Sequence, residues 1–456
     1  MSKLRIISAE HLFRNLIPGQ FGIAFVITMV VMVAALWRNG LDGHGFFLTL
    51  DQWQKGFWDG SLMIFTLQML LILVFGYSIA ISPKVHSVLK SMAELPRSGS
   101  QAVVFATLIS SMAAWLNWGL GLVAGAIYVR LTGYSLQRRK IPFDYPLLGA
   151  SGYTGMMIWH GGLSGSAPLK AAESGHLRSM VSSDIEVSDS IAITSTLLST
   201  STLIITLVAC LSVVVTLLLL SSRRKAGTYV PEIPPLEPEA TPNALTATGA
   251  ETLEFKKWPA RLVSLLIFGF LVHTAIQDRS LGFFSPNVVI SILLASGLWL
   301  HASLRAYMLS IDRAITSASG VVLLFPFYFG IIGLLRYSGI ITDITGWFVS
   351  HAGAASFLQL VFVSSSLLNI LIPSGGGQWA IQGPVILEAG AQLGIPLENV
   401  IMCFAFGDQL TNMLQPFWAI PLLYITRIRA SELLGYTFFI FLTGLLVFGL
   451  GILLFY

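Results

Sequence analysis

Residues 353–383 read GAASFLQLVFVSSSLLNILIPSGGGQWAIQG, an apolar stretch that a Pro-Ser-Gly-Gly-Gly run interrupts at residues 373–377. The stretch is longer than the roughly 20 residues that one helix needs to cross a bilayer. A second long stretch, residues 101–130, is interrupted in the same way at Asn117-Trp118-Gly119. Each pattern predicts two short helices joined by a break, which form a hairpin that enters and leaves the membrane on one side.

The composition of the whole chain is that of a membrane protein. Of 456 residues, 55% are hydrophobic and 11% are charged, and the mean hydropathy is +0.77. A soluble domain carries about 25% charged residues. Because no small-residue cleavage site follows the first apolar run, we expect a retained helix there rather than a signal peptide. Apolar runs predict eleven hydrophobic elements, near residues 21–37, 60–82, 101–130, 147–169, 191–220, 258–277, 285–303, 317–340, 353–383, 397–425 and 431–456.

Charge and cysteine content exclude several other classes of function. The isoelectric point near 9.0 reflects Lys and Arg in the loops between apolar runs, which membrane topology already explains, so no nucleic acid partner is expected. The two cysteines, Cys210 and Cys403, lie within apolar runs and lack the spacing of a disulfide framework or a zinc site. We therefore expect no cofactor other than a coupling ion.

The distribution of Lys and Arg predicts the direction of each hairpin, because short cytoplasmic loops are rich in these residues. Basic residues precede the first hairpin at 84–97 and follow it at 130–140, so both of its ends are predicted to be cytoplasmic. From residue 337 to residue 426 there is no Lys or Arg, whereas Arg427 and Arg429 follow directly. The second hairpin is therefore predicted to enter from the opposite, periplasmic face.

With this assignment the two halves of the chain follow the same order of elements from opposite faces. The predicted fold is an all-α polytopic membrane protein of two inverted repeats, each with a re-entrant helical hairpin and a broken transmembrane helix. Inverted repeats with interrupted helices are a recurring plan of secondary transporters, which bind their substrate near the bilayer midplane, where the repeats meet. The predicted units are a first repeat at 1–220 with a cytoplasmic N-terminus, a cytoplasmic Pro-rich linker at 221–257, a linking transmembrane helix at 258–284 and a second repeat at 285–456 with a periplasmic C-terminus.

The glycine-rich break of the second hairpin is the first candidate site. Glycines at hydrocarbon depth free backbone N–H groups, and such groups at a helix start attract anions. The alternative is that the glycines only make the turn. Tryptophans near the breaks could form walls for a short apolar tail, although interfacial belts are their usual place. The candidate substrate-binding residues here are Ser374, Gly375, Gly376, Gly377, Gln378 and Trp379, with Asn117 and Trp118 from the first hairpin and Gln415 from the second broken helix.

The run Trp159-His160-Gly161-Gly162-Leu163-Ser164-Gly165-Ser166 is the second candidate site, with His160, Gly161, Ser164 and Ser166 as substrate-binding residues. His160 could donate to an anion or carry a co-transported proton, or it could be a packing residue. The Gly-x-Ser-Gly pattern also resembles the nucleophile motif of rhomboid proteases. That enzyme class explains neither the repeats nor the second hairpin.

The acid Asp408 is the third candidate, because a charge within a membrane segment is costly and is usually paired or functional. It could carry a proton or bind Na⁺ with neutral oxygen ligands one turn away, or it could be the partner of a helix end. Asparagines at the two hairpin breaks could complete cation sites, or they could cap helices. The candidate ion-coupling residues are Asn117, Asn369, Asp408, Gln409, Thr411 and Asn412.

These motifs together resemble the bacterial short-chain fatty acid transporter family, of the acetoacetate and butyrate uptake type, and the resemblance spans nearly the whole chain. It implies uptake of short-chain monocarboxylates across the inner membrane, coupled to H⁺ or Na⁺, within an ion-transporter superfamily whose members are often dimers. A di- or tricarboxylate carrier and an anion channel are the alternatives. No Lys or Arg lies within the four broken segments, residues 117–121, 159–168, 369–379 and 407–416, which favours a monoanion. The matching runs are 153–155, 159–166, 373–380 with 382–384, 407–409 and 415–419.

Overall fold

The structure is a computed structural model that describes residues 20–181, 186–223, 248–278, 286–301, 303–340, 343, 347, 353–373, 375–415 and 418–456. Within these ranges the regular elements are helices, and no β-strand occurs among them. Five helices are long and apolar enough to cross a membrane: Leu62–Ile81, Gly99–Leu116, Thr200–Ser222, Lys257–Gln277 and Ala430–Phe455. The expectation of an all-α polytopic membrane protein is therefore confirmed.

The helices fall into a first group before the linker and a second group after it. The first group is α1 Gln20–Asn39, α2 Gly43–Phe57, α3 Gly60–Ile81, α4 Pro83–Glu94, α5 Gly99–Leu116, α6 Trp118–Arg138, α7 Tyr145–Tyr153, α8 Ser166–Ala171, α9 His176–Met180 and α10 Thr200–Arg223. The second group is α11 Thr252–Phe255, α12 Lys257–Asp278, α13 Pro286–Leu300, α14 Leu304–Tyr337, α15 Phe357–Leu371, α16 Gly375–Gln392, α17 Leu397–Thr411, α18 Ile420–Thr426 and α19 Ala430–Phe455.

The break predicted in the first long apolar stretch lies at Asn117, between α5 and α6. Asn117 has extended backbone angles, and its side-chain oxygen accepts the Leu120 N–H at 3.0 Å, so it caps α6. The two helices pack closely, since a Cβ on Gly121 would lie 2.4 Å from the Cβ of Ala114. The stretch is a helical hairpin, and its re-entry into the membrane remains a prediction.

The second stretch is divided in the same way. Helix α15 ends at Leu371, Ile372 and Pro373 are not helical, and α16 begins at Gly375. Pro373 has no backbone N–H to donate and disfavours helix at the residue before it, which explains the end of α15. Ser374 lies outside the described residues.

Both predicted broken helices are interrupted. In the first, short 3₁₀ turns at Thr154–Met157 and Trp159–Gly161 separate α7 from α8. In the second, a 3₁₀ turn at Asn412–Leu414 follows α17, and α18 begins at Ile420. The two interruptions lie against each other, because the Tyr153 hydroxyl donates to the Asn412 carbonyl at 3.0 Å. Their contact places the candidate site in the interior.

Four predicted boundaries were wrong by more than two turns. The two hairpin stretches extend further than predicted, since α6 continues to Arg138 instead of residue 130 and α16 to Gln392 instead of residue 383. The element predicted at 191–220 is helical only from Thr200, since hydroxyl side chains form turns before it and the Ser199 hydroxyl accepts the Thr202 N–H. The element predicted at 317–340 begins at Leu304, where the Ser303 hydroxyl caps α14. The more polar helices α2 and α4 were not predicted. The inverted relation of the halves and the proposed units remain predictions, and linker residues 224–247 lie outside the described ranges.

Candidate functional site

A cavity of about 390 Å³ lies where the two hairpins and the two broken helices meet. Its volume is within the range of small-molecule sites. Eight of the predicted substrate-binding residues line it: Asn117, Trp118, Ser164, Ser166, Gly375, Gly376, Gly377 and Trp379. Other walls come from α3, from Val289 of α13 and from the indoles of Trp159 and Trp418.

The start of α16 touches the first broken helix inside this cavity. A Cβ on Gly375 would lie 2.7 Å from the Ser166 hydroxyl, 2.9 Å from Cε1 of His160 and 3.0 Å from the Trp159 ring. No larger residue fits there without movement. The first N–H groups of a helix have no acceptor within the helix, and the helix dipole makes this end positive. The glycines thus bring a positive helix end to the cavity wall.

Two buried N–H donors belong to residues that line the cavity. The side-chain Nδ2 of Asn117 and the indole Nε1 of Trp159 have no hydrogen-bond partner among the described residues. The Asn117 amide orientation follows from its oxygen, which accepts the Leu120 N–H. An unpaired buried donor costs about 1–3 kcal/mol.

Indole rings form the apolar part of the cavity wall. The Trp118 ring packs edge-on against Trp159 at 6.5 Å and against Trp418 at 5.0 Å between ring centroids. The Trp118 backbone N–H donates to the Ser164 hydroxyl at 2.9 Å, which ties the first hairpin to the first broken helix. The cavity therefore combines polar donors with a rigid aromatic wall, as a carboxylate with a short alkyl chain requires.

Behind the cavity wall, His160 and Asp408 form a buried pair. Nδ1 of His160 lies 2.7 Å from Oδ2 of Asp408, and the Ala167 backbone N–H donates to Nε2 of the same ring at 3.2 Å. A backbone N–H can only donate, so Nε2 is the acceptor and Nδ1 carries the hydrogen. Nδ1 of His160 therefore donates to Oδ2 of the Asp408 carboxyl group, and both side chains are almost fully buried.

A polar network surrounds this pair. The amide of Asn369 donates to the Asp408 carbonyl, the Thr411 hydroxyl and the Asn412 side chain at 2.7–3.1 Å. Gln415 donates to the Asn369 carbonyl. Three oxygens of the network have no partner in the described part of the chain: Oδ1 of Asp408, Oδ1 of Asn369 and Oε1 of Gln415. Oxygen atoms of this kind are the ligands that hard cations prefer.

Several predicted residues occupy supporting positions rather than the cavity wall. Gln409 accepts the His160 and Gly161 N–H groups at 2.9 and 3.3 Å. Gln378 is fully buried and donates to the Ser365 carbonyl and to Gln382. His160, Gly161, Gln378 and Gln415 are not among the residues that line the cavity. Their contact with substrate stays a prediction.

Sequence reasoning missed a charged part of the cavity. Lys170, Glu173 and His176 line it, although they lie just beyond the predicted broken segment. The broken segments themselves contain no Lys or Arg, but Lys170 lies two residues beyond one of them, so the sequence argument for a monoanion did not include it. Ser166, Lys170 and Glu173 follow helical spacing, which could have indicated their common face. Gln68, on α3, also lines the cavity and donates to Asn287, a pairing between distant segments that the sequence does not signal.

Comparison with known proteins gives consistent results along nearly the whole chain. A family model described as short chain fatty acid transporter matches residues 4–455. The chain is 33% identical to a protein of Escherichia coli over 445 residues, 96% of both chains, and 34% identical to a protein of Haemophilus influenzae over 444 residues, 95% of this chain and 96% of the other. Both relatives are provisionally named short-chain fatty acid transporters.

A solved structure supports the fold. The YdaH transporter of Alcanivorax borkumensis, described as having an unusual topology, aligns with a TM-score of 0.50. The alignment covers 95% of this chain and 98% of that chain, at 15% sequence identity. At this identity the likeness concerns the fold alone.

Proposed function

The chain belongs to the short-chain fatty acid transporter family, and from that premise we propose that it carries monocarboxylates such as butyrate and acetoacetate by alternating access, coupled to H⁺ or Na⁺. One observation carries the proposal: Asn117 and Trp159, which line the cavity together with the start of α16, each have a buried N–H donor without a partner among the described residues. A carboxylate would accept from these donors, and its alkyl chain would pack on the indole wall.

We assign the coupling ion to the buried charge of Asp408. An uncompensated carboxylate in the interior is costly, so a proton on its unpaired oxygen or a cation beside it would lower the energy of the loaded state. The unpaired oxygens of Asn369 and Gln415 supply further ligands if the ion is Na⁺. His160 donates to Asp408 and does not itself hold the coupling proton in this arrangement.

The location and assembly of the protein are part of the same proposal. We place it in the bacterial inner membrane with a cytoplasmic N-terminus and a periplasmic C-terminus, because the basic residues are distributed in that way. Assembly as a homodimer rests on the resemblance to the superfamily. Cysteine labelling from each face and crosslinking in membranes test these two points.

Uptake of labelled butyrate by proteoliposomes tests the proposed function directly. We expect accumulation that unlabelled acetoacetate inhibits, and exchange of internal labelled butyrate for external unlabelled butyrate. Collapsing the H⁺ gradient and the Na⁺ gradient in turn identifies the coupling ion. Transport of succinate without butyrate would establish the alternative dicarboxylate carrier, for which Lys170 at the cavity is the favouring observation. Flux that follows only voltage and gradient, without exchange, would establish an anion channel.

A further inference from the structure

The proposed site leaves one ionic group of the cavity without a role. Lys170 lies in the last turn of α8, and its ammonium donates to both carboxylate oxygens of Glu173 at 3.0 and 2.9 Å. Both residues line the cavity, and their side chains are 43% and 34% exposed. This pair is therefore accessible to a solute in the cavity, in contrast to the buried pair of His160 and Asp408.

The segment that carries this pair is held against the second hairpin. The Trp379 indole of α16 donates to Nε2 of His176 at 3.1 Å. The side chain of Met180 also packs on α16, because a Cβ on Gly383 would lie 2.5 Å from its methyl carbon. Leu177 between them is fully buried. These contacts fix Lys170 beside the cavity rather than on a loosely attached loop.

We propose that Lys170 is a carboxylate-binding residue of the transporter, and that Glu173 occupies it until a substrate carboxylate takes its place. The inference rests on the proposed function and adds a residue to it. Glu173 presents to Lys170 the same functional group that the substrate carries, so the exchange conserves both hydrogen bonds. An accessible ion pair of this kind contributes little net stability, and a competing carboxylate can therefore displace it.

The position of Lys170 on α8 gives the exchange a direction. Ser166 and Lys170 are four residues apart on one helix, a spacing that places two side chains on the same face about 5–6 Å apart between Cβ atoms. Ser166 in turn lies against Gly375 at the start of α16. A carboxylate that binds Lys170 first is thus close to the part of the cavity wall that Ser166 and the start of α16 form. Lys170 recruits the anion, and the donors of Asn117 and Trp159 then hold it.

Initial rates of butyrate uptake in proteoliposomes test this assignment, with Lys170→Gln, Glu173→Gln, the double variant and Arg178→Gln. We expect Lys170→Gln to raise the KM about tenfold with the maximal rate within twofold, and Glu173→Gln to lower the KM about threefold. In the Lys170→Gln background, adding Glu173→Gln should leave the KM unchanged, because the ammonium group for which Glu173 and the substrate compete is absent. Arg178 is the matched control, since it is exposed in the same segment, does not line the cavity and lies 3.9 Å from Asp189.

Two results overturn the inference. The first is an unchanged KM in Lys170→Gln, whatever happens to the maximal rate. The second is a raised KM in Glu173→Gln, which makes the pair a structural link.

Absence of butyrate uptake by the unchanged protein refutes the proposed function instead. In that case, the dissociation constants of butyrate and succinate for purified protein decide the inference: it holds if Lys170→Gln weakens either one about tenfold, and it fails otherwise, including when neither anion binds.

Discussion

Replacing Gly375 by alanine tests the contact on which the cavity depends. The added methyl group would lie 2.7 Å from the Ser166 hydroxyl, 2.9 Å from Cε1 of His160 and 3.0 Å from the Trp159 ring. Carbon atoms in ordinary contact are about 3.5–4.0 Å apart. Because His160 is fixed by Asp408 and the Ala167 N–H, the start of α16 has to move by roughly 0.5 Å or more.

The size of the effect follows from the energy of overpacking. Inserting a methyl group into a filled interior costs about 1–3 kcal/mol. Since about 1.4 kcal/mol corresponds to a factor of ten, kcat/KM for butyrate falls by up to roughly 5- to 150-fold, the limit reached when the whole cost falls on the substrate-bound state. Gly375 has no positive φ angle, so backbone strain adds nothing to this figure.

The assay is the initial rate of butyrate uptake in proteoliposomes that contain equal amounts of folded protein. Gly449→Ala is the matched control, because it changes the same residue type in α19 at a position where a Cβ meets no atom within 4 Å. We expect the control variant to transport within twofold of the unchanged protein. A Gly375→Ala variant that does the same would refute the packing of α16 against the first broken helix.

Three further changes have defined outcomes. Asn117→Asp keeps the helix cap but replaces the unpaired donor by a carboxylate, so we expect the KM for butyrate to rise at least tenfold, and an unchanged KM would contradict the anion site. Asp408→Asn retains an acceptor for His160 without the charge; it should lose ion-driven accumulation but keep exchange, and full accumulation would defeat the assignment. His176→Asn concerns the segment between the membrane helices, where burial and, secondly, the charge of Lys170 lower the pKa of His176 while its ring accepts from Trp379. The pKa of His176 is lower in the folded protein than its unfolded value of about 6.5, so the stability that His176 contributes is fully present above that pH and is lost as the pH falls through the folded pKa. The melting temperature should therefore fall less between pH 7 and pH 5 in the variant than in the unchanged protein. Equal falls would show that His176 is not the cause of the pH dependence.

The hairpin breaks were predictable because their causes are local. Pro373 cannot donate a backbone hydrogen bond, and Asn117 can cap a helix with its own side chain. Both effects act within a few residues and need no distant partner. The start of α14 was mispredicted for the complementary reason, because tertiary contacts with α3 support its first turns: the Tyr307 ring packs on Phe75, and the hydroxyls of Ser310 and Ser78 form a hydrogen bond.

The interpretation of Asn117 as either a ligand or a helix cap illustrates the limit of sequence reasoning. The side-chain oxygen caps the helix, and the amide nitrogen has no partner among the residues that the structure describes, so one side chain fits both alternatives. Whether a side chain retains an unpaired donor depends on every neighbour around it. That information is spread over segments far apart in the chain.

The sequence by itself determined that this protein is a helical membrane protein with interrupted apolar segments, and its motifs determined the family. Those properties follow from composition and from local backbone chemistry. Only the tertiary structure decided that His160 meets Asp408, 248 residues away, and that Lys170 shares a cavity with the glycines of α16. The physical reason is that a binding site consists of distances between side chains, and long-range packing of helices sets those distances.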